Sequence, residues 1–323
     1  MMNRRSLLAL TGVALALPAR AQSTWPDRPV TLVAPFTPGG PVDALARLLA
    51  AGLQAKSGVP AVVENRPGGG GSIGIASVAR AAPDGTTLLV AAAGNLTINP
   101  SLIRNAPFNV ERDLAPVAIL ASSPNVIAVG PNVPAATVAE LLALARSTPG
   151  GLSYGSPGAG SQQHLAGELI ASRSGAPLTH IPYRGSSHAA TDLVSGQIHF
   201  VISNLLAVQP LITSGRARAI AQLATTRSAM LPDVPTLAEA GQAPLDVRSW
   251  FGVLVPRATP APLVNAIHAA CGAVARSEAT QDAFRRQALE AMDESPDDFA
   301  TRLREETSRW AEVIRTARIQ LDN

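Results

Sequence analysis

What most constrains this chain is a rhythm: short apolar, β-branched runs alternate with helix-length segments. Val30-Thr31-Leu32-Val33-Ala34 reads as a buried strand that stops at Pro35. After a Pro/Gly-rich turn, Asp43 opens a helix with Leu45, Leu48, Leu49 and Leu53 along one side. Ala61-Val62-Val63-Glu64 is the next strand, Gly74 to Ala79 a helix, and the Pro83-Asp84-Gly85 turn leads into strand Thr87 to Ala91. Val117 to Leu120 and Val126 to Val129 follow, split by Ser122-Ser123-Pro124. Strands separated by helices in this way argue for parallel sheets covered by helices on both faces.

Midway the rhythm restarts. Thr137 caps a helix through Arg146, Leu152-Ser153-Tyr154 is a strand, and Gly160-Ser161 opens a helix from Gln162 to Ala171. His180 to Tyr183 is a strand, Ala189 to Ser195 a helix, and Phe200 to Ser203 and Ala217 to Leu223 are strands. The expected organisation is therefore a second α/β lobe, 122–227, inserted into a first lobe made of 22–121 and 228–323. The crossings are expected near Ser122-Ser123 and Thr225-Thr226. At the C-terminus, Ser295 is an N-cap, Pro296 follows at the first helical position, and Phe299, Leu303, Trp310 and Ile314 form a buried stripe.

The first residues bear on compartment. Arg4-Arg5 precede an apolar run from Leu7 to Leu17, and Ala19-Arg20-Ala21 has the small-x-small form of a cleavage site. The run is shorter than the roughly 20 residues that cross a bilayer. Residues 1–21 are thus expected to be a cleaved secretory signal, by the general or the twin-arginine route, leaving a protein in the periplasm. Removing Arg4, Arg5 and Arg20 brings the basic and acidic residues into balance. A nucleic-acid partner, which needs a basic surplus on one face, is not expected. The lone Cys271 allows no disulfide within the chain, so the fold must rest on core burial. With 46% hydrophobic residues the chain has material for two lobes.

Two segments carry the functional signal. In Pro35-Phe36-Thr37-Pro38-Gly39-Gly40-Pro41-Val42-Asp43 a strand end meets glycines and a helix start, which leaves backbone N–H groups unpaired and favours an anion. Asp43 reads as structural, since an acid suits a first helical turn and would repel an anionic ligand. Tyr154-Gly155-Ser156-Pro157-Gly158-Ala159-Gly160-Ser161-Gln162-Gln163-His164 repeats the same physics in the second lobe, with hydroxyls added. One anion-favouring corner per lobe suits a solute with a carboxylate at each end. His164 is open between a helix residue and a ligand contact, and Arg184 between a carboxylate partner and a solvated surface residue.

Enzyme readings fare worse. Gly69-Gly70-Gly71-Ser72-Ile73-Gly74 matches a dinucleotide string but follows Pro67-Gly68 instead of a strand, and Asp84 sits in a turn. Tyr154-Gly155-Ser156-Pro157-Gly158 lacks the first glycine of a nucleophile elbow. A Ser161–His164 pair would lie three residues apart at a helix start without a third group. No metal-ligand spacing and no cofactor string emerge, so neither metal nor cofactor is expected.

Together these residues resemble the receptors of tripartite tricarboxylate transporters, the Bug-type family, over the whole mature chain. The motifs that carry the resemblance are Pro35 to Gly40, Val63-Glu64-Asn65-Arg66-Pro67, Tyr154 to Glu168, Ile181 to Gly185, Leu231-Pro232-Asp233-Val234-Pro235-Thr236 and Trp250-Phe251-Gly252. The resemblance implies a type II periplasmic-binding-protein fold, with two doubly wound α/β lobes on a two-crossing hinge. It implies a non-catalytic receptor that binds a small carboxylate and feeds a large and a small membrane subunit. A monomer is expected, and a sensing subunit of a signalling system or a secreted hydrolase are the alternatives. The ligand contacts it implies are Phe36, Thr37, Pro38, Gly39 and Gly40; Gly94 and Asn95; Ser156, Gly158, Ala159, Gly160 and Ser161; and positions near Tyr183 and Asn204, with Asp43, His164 and Gly185 beside them in the candidate binding set. Val42 stands where the family often has a hydroxyl residue, and His188 where it usually has proline; Val42 points to a less polar or aromatic ligand.

Overall fold

A computed structural model describes residues 25–103, 106–183 and 185–316. The expected signal segment and Arg184 lie outside the described residues. The chain builds two sheets from strands β1 (Val30–Ala34), β2 (Ala61–Asn65), β3 (Thr87–Ala92), β4 (Leu114–Ser123), β5 (Asn125–Val129), β6 (Leu152–Ser156), β7 (Leu178–Pro182), β8 (Phe200–Asn204), β9 (Arg218–Gln222), β10 (Ser249–Pro256) and β11 (Glu290–Ala291). The first sheet has the order β11-β4-β10-β3-β1-β2 and the second β7-β6-β8-β5-β9.

The expectation of parallel sheets holds in part. β1 pairs in parallel with β2 and β3, and β6 with β7 and β8. β10 runs antiparallel to both β3 and β4, and β5 antiparallel to β8 and β9. The reason is the route of the chain. β4 and β5 are separated by Pro124 alone, so one extended segment leaves the first sheet and enters the second. Proline cannot donate to a ladder and breaks the pairing there. Strands that enter from the opposite sheet meet their neighbours head to tail.

Continuous apolar strands are buried on both faces, as parallel and central strands must be. All eight residues of β10 are buried, as are all five of β5 and of β8. Leu45, Leu49 and Leu53 of helix Pro41–Ser57 cover one face of the first sheet with Ile267, Cys271 and Val274 of helix Ala261–Ala275. On the other face lie Ile75, Val78, Phe299 and Leu303.

The return path runs later than the sequence places it. Beyond β9 the chain stays with the second sheet, where Leu237 and Val247 join its core; it enters the first sheet as a strand at Ser249, although the side chains of Ser228 and Arg248 reach Glu290 of β11. The Gln222 side chain holds this segment by donating to Leu231 O (2.8 Å) and Val234 O (2.7 Å) and accepting from Ser228 N (2.9 Å). Residues 228–248, expected in the first lobe, thus pack with the second. The C-terminal helix Pro296–Thr316 begins as expected, with the Ser295 hydroxyl accepting Asp298 N at 3.1 Å. Its stripe serves both sheets: Phe299 and Leu303 enter the first core, Trp310 and Ile314 the second.

Candidate functional site

A cavity of about 390 Å³ lies between the sheets, within the range of small-molecule sites. It is lined from the first sheet by Phe36, Thr37, Gly40, Pro41, Val42, Gly70, Ala92, Gly94, Asn95, Asn99 and Phe251, and from the second by Pro157 to Gln163, Gly185, Ser186 and Asn204. Ser249, at the return crossing, completes it. Both predicted corners therefore open onto one space. No charged side chain lines it among the described residues.

At the first corner, β1 ends and helix Pro41–Ser57 starts with Gly40 at its cap, which has no side-chain hydrogen bond to offer. Pro41 occupies the first helical position without an N–H, so the free donors of the turn are those of Val42 and Asp43. The Asp43 side chain points away from the cavity. It is buried and accepts from Gly39 N (2.9 Å), Arg47 Nε (3.0 Å) and Asn65 Nδ2 (2.9 Å), and Asn65 also donates to Phe36 O (3.0 Å). Burial alone would raise the pKa of Asp43; the hydrogen bonds from Arg47, Gly39 and Asn65 outweigh it and hold the carboxyl below its ordinary value. Asp43 thus stands behind the lining, and Pro38 and Gly39, both exposed, lie outside it. Beside this corner, the loop Gly68 to Gly71 takes positive φ throughout, which only glycine adopts freely. It turns Gly70 O to accept from Asn95 Nδ2 and Asn99 Nδ2, each at 2.8 Å. The string that resembled a dinucleotide loop is therefore a wall of this cavity.

At the second corner, β6 ends at Ser156 and Ser161 caps helix Gln162–Ser174, accepting His164 N at 3.1 Å. Pro157 to Ser161 line the cavity, whereas Ser156 and His164 lie beneath them. The Ser156 hydroxyl stands 2.6 Å from His180 Nε2, and His164 Nδ1 accepts Gly160 N at 3.1 Å. Tyr183 also lies outside the lining, its hydroxyl donating to Asp192 Oδ2 at 2.7 Å.

Sequence reasoning missed the residues at the crossings. Gln163 donates to Asn125 Oδ1 (2.8 Å) and Ser249 Oγ (3.2 Å), and Asn125 donates to Val247 O (2.7 Å). One amide thus ties the second corner to both crossing strands. Its only sequence signal is a polar side chain in an otherwise apolar helix face.

The site offers little to catalysis. Ser161 and His164 do not form a nucleophile–base pair, since Gly160 N occupies the ring nitrogen. Ser156 and His180 do form a pair that the sequence did not reveal, yet Ser156 is fully buried and burial, with His164 alongside, pushes His180 down to about 3. A base so weak and a nucleophile so enclosed suit neither half of an acyl transfer. What the cavity presents is backbone N–H groups, hydroxyls and amides between two phenylalanines.

A second cavity, about 430 Å³, lies across the molecule against the C-terminal helix. Within it Arg302 pairs with Glu294 and Glu306, and Trp250 Nε1 donates to Glu306 at 3.0 Å.

Comparison with known proteins gives one answer. Residues 45–319 match the tripartite tricarboxylate transporter family receptor. Protein BugT of Bordetella pertussis is 36% identical over 97% of this chain and 98% of its own length. A Rhodopseudomonas palustris protein solved with adipate superposes with a TM-score of 0.84 at 36% identity, over 92% of this chain and 99% of that one. MatC from the same organism, with bound malate, superposes at 0.79 and 30% identity, over 90% and 99%. The fold is that of the periplasmic binding proteins of this type, and this chain belongs to the tripartite tricarboxylate transporter family of solute-binding receptors.

Proposed function

We propose that this chain is exported and, in the periplasm, captures a small carboxylate between its two lobes for delivery to the large and small membrane subunits of a tripartite tricarboxylate transporter. The observation that carries the reading is that two strand-to-helix corners, one from each sheet, line a single cavity. Each corner supplies N–H donors at a helix start, where the helix dipole favours an anion. Relatives solved with adipate and with malate support a dicarboxylate as the ligand class. Val42, Phe36 and Phe251 make the wall between the corners largely apolar. The proposed contacts are Phe36, Thr37, Gly40, Gly94, Asn95, Gly158, Ala159, Gly160, Ser161, Gly185 and Asn204, with Val42, Gln163 and Ser249 added. Asp43, Ser156, His164 and Tyr183 act from behind.

The mechanism is capture without chemistry. The solute docks on one lobe, the other closes over it about the two crossings, and the closed shape is what the membrane subunits recognise. The gap is already narrow, since a methyl built on Gly94 would lie 3.8 Å from Gln162 Cγ. A thermal-shift panel of dicarboxylates, tricarboxylates, amino acids and aromatic acids tests the reading. A binder at a hundredfold excess over its Kd adds about 2.7 kcal/mol to stability. Concentration-dependent shifts among carboxylates, with the compound recovered unchanged, support it. A panel without shifts, or a compound consumed, overturns it.

A further inference from the structure

The hydrogen bonds of the second corner run down into the protein, away from the cavity. Gly160 N donates to His164 Nδ1 at 3.1 Å, which places the ring proton of neutral His164 on Nε2, 3.8 Å from Glu168 Oε1. The His164 ring lies on that of His180, with centroids 3.9 Å apart and planes 18° from parallel. His180 Nε2 in turn meets the Ser156 hydroxyl, which also accepts Gly158 N (3.2 Å) and contacts Ser161 Oγ (3.4 Å). Two stacked imidazoles thus hold both ends of the loop that lines the cavity. The groups facing them from neighbouring elements are few. Tyr154 of β6 lies 5.0 Å from the His180 ring and donates to His164 O and to Glu168, and among the described residues Glu168 is the acid in contact.

We infer that His164 is a positioning residue for the ligand loop: as a neutral acceptor of the Gly160 N–H it shapes Pro157 to Ser161 for binding, and a proton on its Nδ1 undoes that shape. The reason is geometric. A protonated Nδ1 would be a donor facing another donor, and the Gly160 N–H has no second acceptor in its place. Burial, opposed in part by Glu168, lowers the pKa of His164, so the acceptor form prevails at neutral pH. The carboxylate reading of the cavity underlies the binding half of this inference, while the shape of the loop is independent of it.

Two variants separate the roles of the ring. His164→Asn keeps an oxygen acceptor within reach of Gly160 and cannot titrate. His164→Phe keeps the stack and loses the acceptor. Hydrogen exchange of the 157–161 amides in the ligand-free mature chain, corrected for the intrinsic effect of pH, reads the loop directly. Adipate titration reads the site. The Phe variant is expected to speed Gly160 exchange and weaken adipate by about tenfold near neutral pH, the effect of about 1.4 kcal/mol. The Asn variant is expected to match the wild type near neutrality and to lose the wild type's faster exchange as the pH falls below the ordinary histidine range. Unchanged exchange in the Phe variant, or an Asn variant as acid-sensitive as the wild type, overturns the inference. A wild-type chain that binds no carboxylate overturns the functional reading instead, and the exchange data still judge His164.

Discussion

At the first corner the group that fastens the turn is an anion; at the second it is a pair of neutral rings. Asp43 gathers Gly39, Asn65 and Arg47 around one buried carboxylate, whereas His164 and His180 hold Gly160 and Ser156 with no formal charge. Both leave helix-start N–H groups facing the same cavity. A negative charge behind an anion site would repel its ligand, yet Arg47 lies against it and offsets the field. The two lobes thus reach one backbone geometry through opposite electrostatics, and they should fail in different ways.

The largest expected effect comes from deleting the anion. Asp43→Ala removes a buried carboxylate that accepts from Gly39 N, Arg47 Nε and Asn65 Nδ2, and leaves Asn65 with Phe36 O alone. The lost hydrogen bonds to a charged group together cost about 2–3 kcal/mol. Denaturant unfolding should show that loss, and carboxylate binding should weaken with it. A loss well under 1 kcal/mol would mean the turn does not depend on Asp43.

Next comes a steric test, because each corner also leans on a helical glycine. A methyl at Gly167 would sit 2.3 Å from Tyr154 Cζ, and one at Gly74 would sit 2.8 Å from Pro35 Cβ and 2.9 Å from Arg66 O. Neither the buried ring nor the backbone can step aside cheaply. Gly167→Ala and Gly74→Ala should each destabilise the fold by about 1–3 kcal/mol, despite alanine's better helix propensity. A stabilised variant at either site would show that its corner repacks freely.

Acid separates the corners more finely. Asp43 is held below its ordinary pKa, so its contribution is intact above about pH 4 and is lost as the pH falls through the lowered value. The histidines work with the other sign: their folded-state pKa values are lowered, His180 to about 3. They cost nothing above about pH 6.5, and stability falls below it as the unfolded chain takes up protons that the fold refuses. Between about pH 6.5 and 4, loss of stability from these two corners belongs to the second, at no more than about 1.4 kcal/mol per unit for each ring. Denaturant unfolding across that window should give a shallower slope for His180→Asn than for wild type. Equal slopes would remove the histidines from the account.

The strands, the corners and the family motifs were legible because they are local: runs of Val, Leu and Ile, then glycines at a helix start. What stayed hidden depends on distant partners. The antiparallel β10 has the same apolar composition as a parallel strand, and the return path from Leu223 to Arg248 is held by side-chain amides of Gln222 and Asn125. Gln163 looked like any helix residue, though it ties both crossings. His180 became part of the site only through the β6–β7 register that sets it beside Tyr154. Asp43 could be called structural from its place in a first turn, though not its acceptance of Gly39 N.

The smallest effect belongs to Arg47, the cation that accompanies Asp43. Its side chain is 56% exposed and lies one turn on along the same helix, 3.0 Å from the carboxylate. An exposed partner in this spacing contributes little to stability, and less in high salt. Arg47→Ala should therefore barely move the unfolding midpoint. Its informative readout is binding. With Arg47 gone, the charge of Asp43 is no longer offset, and carboxylate affinity should drop at low ionic strength and recover as salt screens the field. Replacing Ser156, His164 or His180 behind the second corner should not show that salt dependence near neutral pH, because those groups are neutral. An Arg47→Ala variant whose affinity ignores salt would mean that the Gly39 and Asn65 donors neutralise Asp43 unaided, and the electrostatic contrast between the corners would shrink to their response to acid.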